Sequence, residues 1–221
     1  MDGPMEIILL VASGVIGYLL GALPFAQWVS RYTKGVDIFN TGTTLAGTAN
    51  VFWNVGRRSA LLVFVGDVGK GSAAVAVAWG LGIEAPLTLV AAAVTIVGHW
   101  ASVFSSFRGG DAMTPLIGVS FALAPELTLL AGVVGVATVL LLRNHHLRSS
   151  WGICAGFMLM LGLSIAYGVD VELVTGLTIL AMLVLLRSMI VRRRISSPGQ
   201  PPVIDDLETD PELPQGMSGG S

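Results

Sequence analysis

Uncharged apolar runs long enough to cross a bilayer constrain this chain more than any other feature. Ile7 to Val29 carries no charged residue. A helix rises 1.5 Å per residue, so about 20 such residues span the hydrocarbon core. Five more stretches follow: Ala60 to Gly80, Pro86 to Phe104, Pro115 to Leu142, Trp151 to Gly168 and Val171 to Val191. Only 12% of the 221 residues are charged, against roughly 25% in an average soluble domain. The mean hydropathy is +0.79. These values exclude a chain disordered over most of its length and argue against a soluble globular domain. The single Cys154 excludes a disulfide framework and a cysteine-based metal site.

The pattern predicts an all-α polytopic membrane protein with seven transmembrane helices. Pro125-Glu126 would place a proline and a carboxylate in mid-membrane if Pro115 to Leu142 were one span, so two helices meeting there are expected. Asp2 and Glu6 precede the first run, where a cleaved signal would be basic, so that run is expected to stay as a helix. Threading seven spans with the N-terminus outside puts every Lys and Arg beyond the spans on the cytoplasmic side, and the C-terminus with them. The location implied is multi-pass in the plasma or inner membrane. Residues 1–195 form the expected membrane domain, with motif loops at about 33–58, 98–112 and 143–150. Within the first loop, Leu45 to Val55 suits a short interfacial or re-entrant helix. Residues 196–221 hold five prolines and five acids and read as a disordered cytoplasmic tail.

Ionisable residues at membrane depth point to function by default. Asp67 and Lys70 are three apart and share a helix face. They are either a neutralising pair that locates the helix or part of a site. Gly66, Gly69 and Gly71 around them would let a backbone or a substrate approach closely. His99 closes another apolar run and is followed by Arg108-Gly109-Gly110. That di-glycine is either a flexible turn or a set of backbone N–H groups offered to an anion. His145 and His146, with Arg143 and Arg148, suit contact with anionic headgroups. Taken together, the cations suit an anionic, phosphorylated ligand whose apolar part stays in the bilayer.

Over roughly residues 14 to 195 the chain resembles the bacterial acyl-phosphate:glycerol-3-phosphate acyltransferases of the PlsY type. Tyr18-Leu19-Leu20-Gly21-Ala22-Leu23-Pro24-Phe25 is similar to that family's YLLGSIPF pattern. Thr41 to Val51 resembles HGSGNIGATNV, Asp67-Val68-Gly69-Lys70-Gly71 matches DxxKG, and Gly98 to Gly110 resembles GHxxPxFxxFKGG. The resemblance implies seven spans and attack of glycerol 3-phosphate on an acyl phosphate, giving lysophosphatidate and inorganic phosphate. It implies no acyl-enzyme, no metal and no cofactor. The partners it implies are those substrates or a related phosphorylated acceptor, together with membrane lipids and no nucleic acid. By the same resemblance Lys70, His99 and Asp67 are catalytic candidates. Thr43, Gly47, Asn50, Arg57, Arg58, Arg108, Gly109 and Gly110 are candidates for binding substrate phosphate. The chain departs from the pattern at Thr43, Thr44, Leu45, Trp53, Ser102 and Asp111, where the family has Ser, Gly, Asn, Arg, Pro and Lys. Leu186 to Val191 lacks the family's polar cluster. These departures keep an altered acceptor open, and also a catalytically inactive relative that binds a lipid or membrane partner. A small transporter or channel is a third reading.

Overall fold

A computed structural model describes residues 3–145 and 147–195, with side chains to 191. His146 and the acidic tail, 196–221, lie outside the described residues. The described residues form α1 (Pro4–Ala22), α2 (Phe25–Lys34), α3 (Thr48–Asn54), α4 (Arg57–Gly80) and α5 (Thr88–Trp100). These are followed by α6 (Met113–Leu123), α7 (Pro125–Leu141), α8 (Arg148–Tyr167) and α9 (Val171–Ile195). The helices carry apolar side chains outward as well as inward. Ile7, Ile8, Val11 and Val15 of α1 and Leu129, Val133, Val136 and Leu140 of α7 are exposed, as lipid-facing surfaces require.

The expectation of seven spans is corrected. Among the described residues, four segments are long and apolar enough to cross a membrane: Pro4–Lys34, Arg57–Gly80, Arg148–Tyr167 and Val171–Val191. Thr88–Trp100, Met113–Leu123 and Pro125–Leu141 are apolar but shorter. At 1.5 Å per residue they reach about 20, 17 and 26 Å, against a hydrocarbon core of about 30 Å. The chain does turn at Pro125, which opens α7 in its first turn, where a missing N–H costs nothing. The N-outside, C-inside orientation depended on the odd count of seven and falls with it. What stands is an all-α, multi-pass membrane protein.

The first apolar run is also not one helix. Pro24 cannot donate an N–H and disfavours helical backbone at the residue before it. Accordingly α1 stops at Ala22, Leu23 is extended at ψ 119° and α2 restarts at Phe25. Beyond α2 the Gly/Thr-rich loop is folded around one residue. Asn50, 4% exposed, donates from Nδ2 to the carbonyls of Ile38, Thr41 and Leu45 at 3.3, 3.0 and 2.9 Å. Its Oδ1 accepts from the Thr43 N–H and from Asn54 Nδ2. Ile38, Phe39, Ala46 and Val51 then pack with Ala26 of α2 and Ala60 and Val63 of α4. The expected short helix forms as α3, one turn shorter at its start than Leu45 to Val55 suggested. Asn50 holds Leu45 outside it by donating from Nδ2 to the Leu45 carbonyl.

A second core joins Val75 of α4, Ile96 of α5, Leu116 and Val119 of α6, Met160 of α8 and Val174, Leu177 and Val184 of α9. Close helix approach is set by small residues, as is usual where lipid removes the hydrophobic drive for helix association. At Gly98 a Cβ would lie 2.2 Å from the Tyr18 carbonyl oxygen of α1. Gly98→Ala is therefore expected to destabilise the protein by about 1–3 kcal/mol through overpacking. Gly162→Ala, where a Cβ meets nothing within 4 Å, is expected to be neutral or mildly stabilising. Thermal unfolding of the two variants in detergent checks the contrast.

Candidate functional site

The break at Pro24 builds one wall of a narrow polar recess. A helix end leaves carbonyls without intrahelical partners, and here two of them are used by other elements. Ser102 Oγ donates to the Ala22 carbonyl at 2.5 Å, and Lys70 Nζ donates to the Leu23 carbonyl at 3.1 Å. Lys70, reaching in from α4, also lies 2.8 Å from Asp67 Oδ1 and 2.8 Å from His99 Nδ1 of α5. An ammonium has three donors and no acceptor; it hydrogen-bonds the Leu23 carbonyl and His99 and forms an ion pair with Asp67. The Lys70 and Asp67 side chains are each 2% exposed. Neither Asp67 carboxylate oxygen has a hydrogen-bond partner among the described residues, Oδ1 being held by the ion pair alone.

The recess is lined by Asp67, Lys70 and His99, by Leu23 to Ala26, by Phe39 and Ala46, and by Ser102, Ser105, Arg108, Gly109 and Gly110. Arg108 is exposed and its guanidinium lies 4.6 Å from the centre of the Phe39 ring, a cation–π arrangement. The two glycines are required by close approach. A Cβ at Gly109 would lie 2.0 Å from the His99 carbonyl oxygen, and one at Gly110 would lie 2.4 Å from the Ala46 carbonyl oxygen. Their polar groups are partly committed: the Gly110 N–H donates to the His99 carbonyl, and the Ala46 N–H donates to the Gly109 carbonyl. The loop is thus stitched down, and the Gly110 N–H is not offered to an anion.

Of the residues singled out in the sequence, Asp67, Lys70, His99, Arg108, Gly109 and Gly110 come together. Thr43, Gly47 and Asn50 do not line the recess. Thr43 and Asn50 hold the loop, and Gly47 precedes α3 as its N-cap. Arg57 and Arg58 are exposed at the start of α4, with Arg57 over the Phe52 ring at 5.9 Å. Sequence reasoning missed Arg187 of α9. Its Nη1 donates to the Gly110 carbonyl at 2.8 Å, its Nη2 to the Trp100 carbonyl at 3.3 Å, and it packs over the Trp100 ring. The available signal was a lone arginine inside an apolar span. Asp111, which reverses a charge relative to the PlsY pattern, does not line the recess. Its Oδ1 accepts from the Met113 N–H at the start of α6, a place where a helix favours negative charge.

A polytopic helical membrane protein with a buried Lys–Asp–His cluster beside a tethered di-glycine loop is the class this geometry defines. The family model for glycerol-3-phosphate acyltransferase matches residues 11–196, and the chain belongs to that family. It is 39% identical over 115 residues to glycerol-3-phosphate acyltransferase 4 of Dehalococcoides mccartyi (strain CBDB1), covering 52% of this chain and 50% of that one. It is 33% identical over 181 residues to the glycerol-3-phosphate acyltransferase of Laribacter hongkongensis (strain HLHK9), covering 80% and 87%. The chain spans about half the length of the first curated relatives it matches. Its fold is similar to a crystal structure of PlsY, an integral membrane glycerol 3-phosphate acyltransferase, in the glycerol 3-phosphate form. The TM-score is 0.72 at 26% identity, over 84% of this chain and 91% of that one.

Removing one member of a buried ion pair strands the other charge. Asp67→Leu and Lys70→Met are each expected to cost about 3–5 kcal/mol. The double variant is expected to cost less than the sum, because it strands neither charge. A double-mutant cycle on unfolding midpoints in detergent tests this coupling separately from any activity.

Proposed function

We propose that this chain is a membrane acyltransferase that transfers an acyl group from acyl phosphate to glycerol 3-phosphate. The observation that carries the reading is the convergence of Asp67, Lys70 and His99 with the Arg108-Gly109-Gly110 segment on one recess. The family and the glycerol 3-phosphate form of the similar PlsY structure support the same substrate class. The acceptor hydroxyl oxygen attacks the acyl carbonyl carbon, the bond from that carbon to the phosphate oxygen breaks, and the hydroxyl proton leaves with the phosphate. The balance needs no acyl-enzyme.

The division of labour follows from which groups are already bonded. Lys70 is held by the Leu23 carbonyl, His99 and the Asp67 carboxylate, so it acts as a fixed positive charge at the base of the recess. Arg108 is exposed and keeps its fork of donors for a phosphate. Asp67 Oδ2, buried without a partner, is a free acceptor for the acceptor substrate's hydroxyl. Such prepositioned groups act on developing charge in a water-poor site, where they are strongest.

Purified protein in proteoliposomes is expected to release inorganic phosphate only when acyl phosphate and glycerol 3-phosphate are both supplied. Arg108→Ala is expected to lower kcat/KM about 10- to 100-fold, the loss of one charged hydrogen bond of about 1.5–3 kcal/mol. A panel of phosphorylated and unphosphorylated acceptors reads the acceptor class. No release with any acceptor would sink the reading in favour of a non-catalytic lipid-binding relative.

A further inference from the structure

The side of His99 that faces away from Lys70 has no assigned task. We propose that Lys70 is a positioning residue that fixes His99 as the tautomer with its proton on Nε2, and that this N–H donates to a phosphate oxygen in the recess. The inference rests on the acyl phosphate reading above for the identity of the ligand.

Lys70 Nζ is 2.8 Å from His99 Nδ1. It also touches the Asp67 carboxylate and the Leu23 carbonyl, both of which can only accept. An ammonium beside a carboxylate is a pure donor, so Nδ1 must be the accepting nitrogen. In a neutral imidazole the proton then sits on Nε2. Geometry places that N–H. His99 is 6% exposed and lines the recess, and a Cβ on Gly110 would come within 2.3 Å of Nε2. The bare Gly110 leaves this edge of the ring uncovered. The neighbouring Gly110 carbonyl is taken by Arg187. Among the described residues Nε2 has no hydrogen-bond partner, although the ring is more than nine-tenths buried. Nε2 is not among the fully enclosed unpartnered atoms, so it opens to the recess, where a phosphate oxygen entering from the Arg108 side would supply a partner. His99 thus serves as a neutral electrophile, and the proton bookkeeping of the reaction stays with substrate and product.

The test is nitrogen NMR on full-length, 15N-histidine-labelled protein in detergent micelles. The His99 signals are assigned by their absence in His99→Gln. The expected spectrum has a protonated Nε2 and an unprotonated Nδ1, and added inorganic phosphate shifts the Nε2–H resonance. In the Asp67→Leu/Lys70→Met double variant the tautomer preference is expected to be lost. In turnover, His99→Ala is expected to lose about 100-fold in kcat, the usual cost of deleting one such donor. His99→Gln, whose amide can place an N–H near Nε2, is expected to recover part of it. A wild-type proton on Nδ1, a doubly protonated ring, or an Nε2 signal indifferent to phosphate would overturn the inference. If His99→Gln fails to fold, the signals that persist in a His145→Gln/His146→Gln variant are those of His99, and the wild-type spectrum still decides. A protonated, phosphate-sensitive Nε2 in a protein that transfers no acyl group would instead overturn the acyltransferase reading and leave the phosphate contact standing.

Discussion

The three bonds of the Lys70 ammonium are the constraint on which the rest of this structure depends. They join the end of α1 through the Leu23 carbonyl, α4 through Asp67 and α5 through His99. A buried ammonium is tolerated only when paired and fully bonded. α1 must therefore stop where it can present a free carbonyl, while α4 and α5 present side-chain acceptors from within their helices. The break at Pro24 acquires its purpose here. A continuous first helix would consume the Ala22 and Leu23 carbonyls internally, and both Lys70 and Ser102 would lose their acceptors.

Much of this was legible in the sequence, and the division follows physical lines. Helices read from long apolar runs survived, because burial of an apolar face in lipid or protein overrides local detail. Asp67, Lys70 and His99 were legible because ionisable groups are rare at such depth. The number of spans was not, because hydropathy registers an apolar run without registering where its helix begins. Loop residues occupy the ends of the α5 and α6 runs. The roles of Asn50 and Arg187 were also hidden. Each bonds backbone carbonyls distant in sequence, such as Gly110 for Arg187, and no local spacing encodes that.

The departures from the PlsY pattern take on a different meaning in three dimensions. Ser102, at a position of proline in that pattern, ties the loop to α1 through the Ala22 carbonyl. Asp111, at a position of lysine, serves the α6 N-terminus and turns its backbone carbonyl to the Trp100 indole N–H at 3.2 Å. Trp53, at a position of arginine, is 70% exposed and packs edge-on with Phe52. None of these three side chains removes a group from the base of the recess. Ser102 lines it as a hydroxyl whose proton is already spent, while Asp111 and Trp53 stand outside it.

A positive charge reaches this loop from a different helix. Arg187 comes from α9 and holds the carbonyls of Gly110 and Trp100, the two residues that flank the start and end of the segment covering His99. Its position behind the loop orients backbone, whereas an arginine in front would meet the ligand directly. A guanidinium pulling two carbonyls backward leaves the opposite side of that loop, with His99 Nε2 and the Arg108 fork, as the donor-rich face. The half-buried Arg187 therefore braces the loop from behind the recess. The few donors of the recess are thus held in place by the fold, the condition under which a small number of hydrogen bonds can stabilise developing charge.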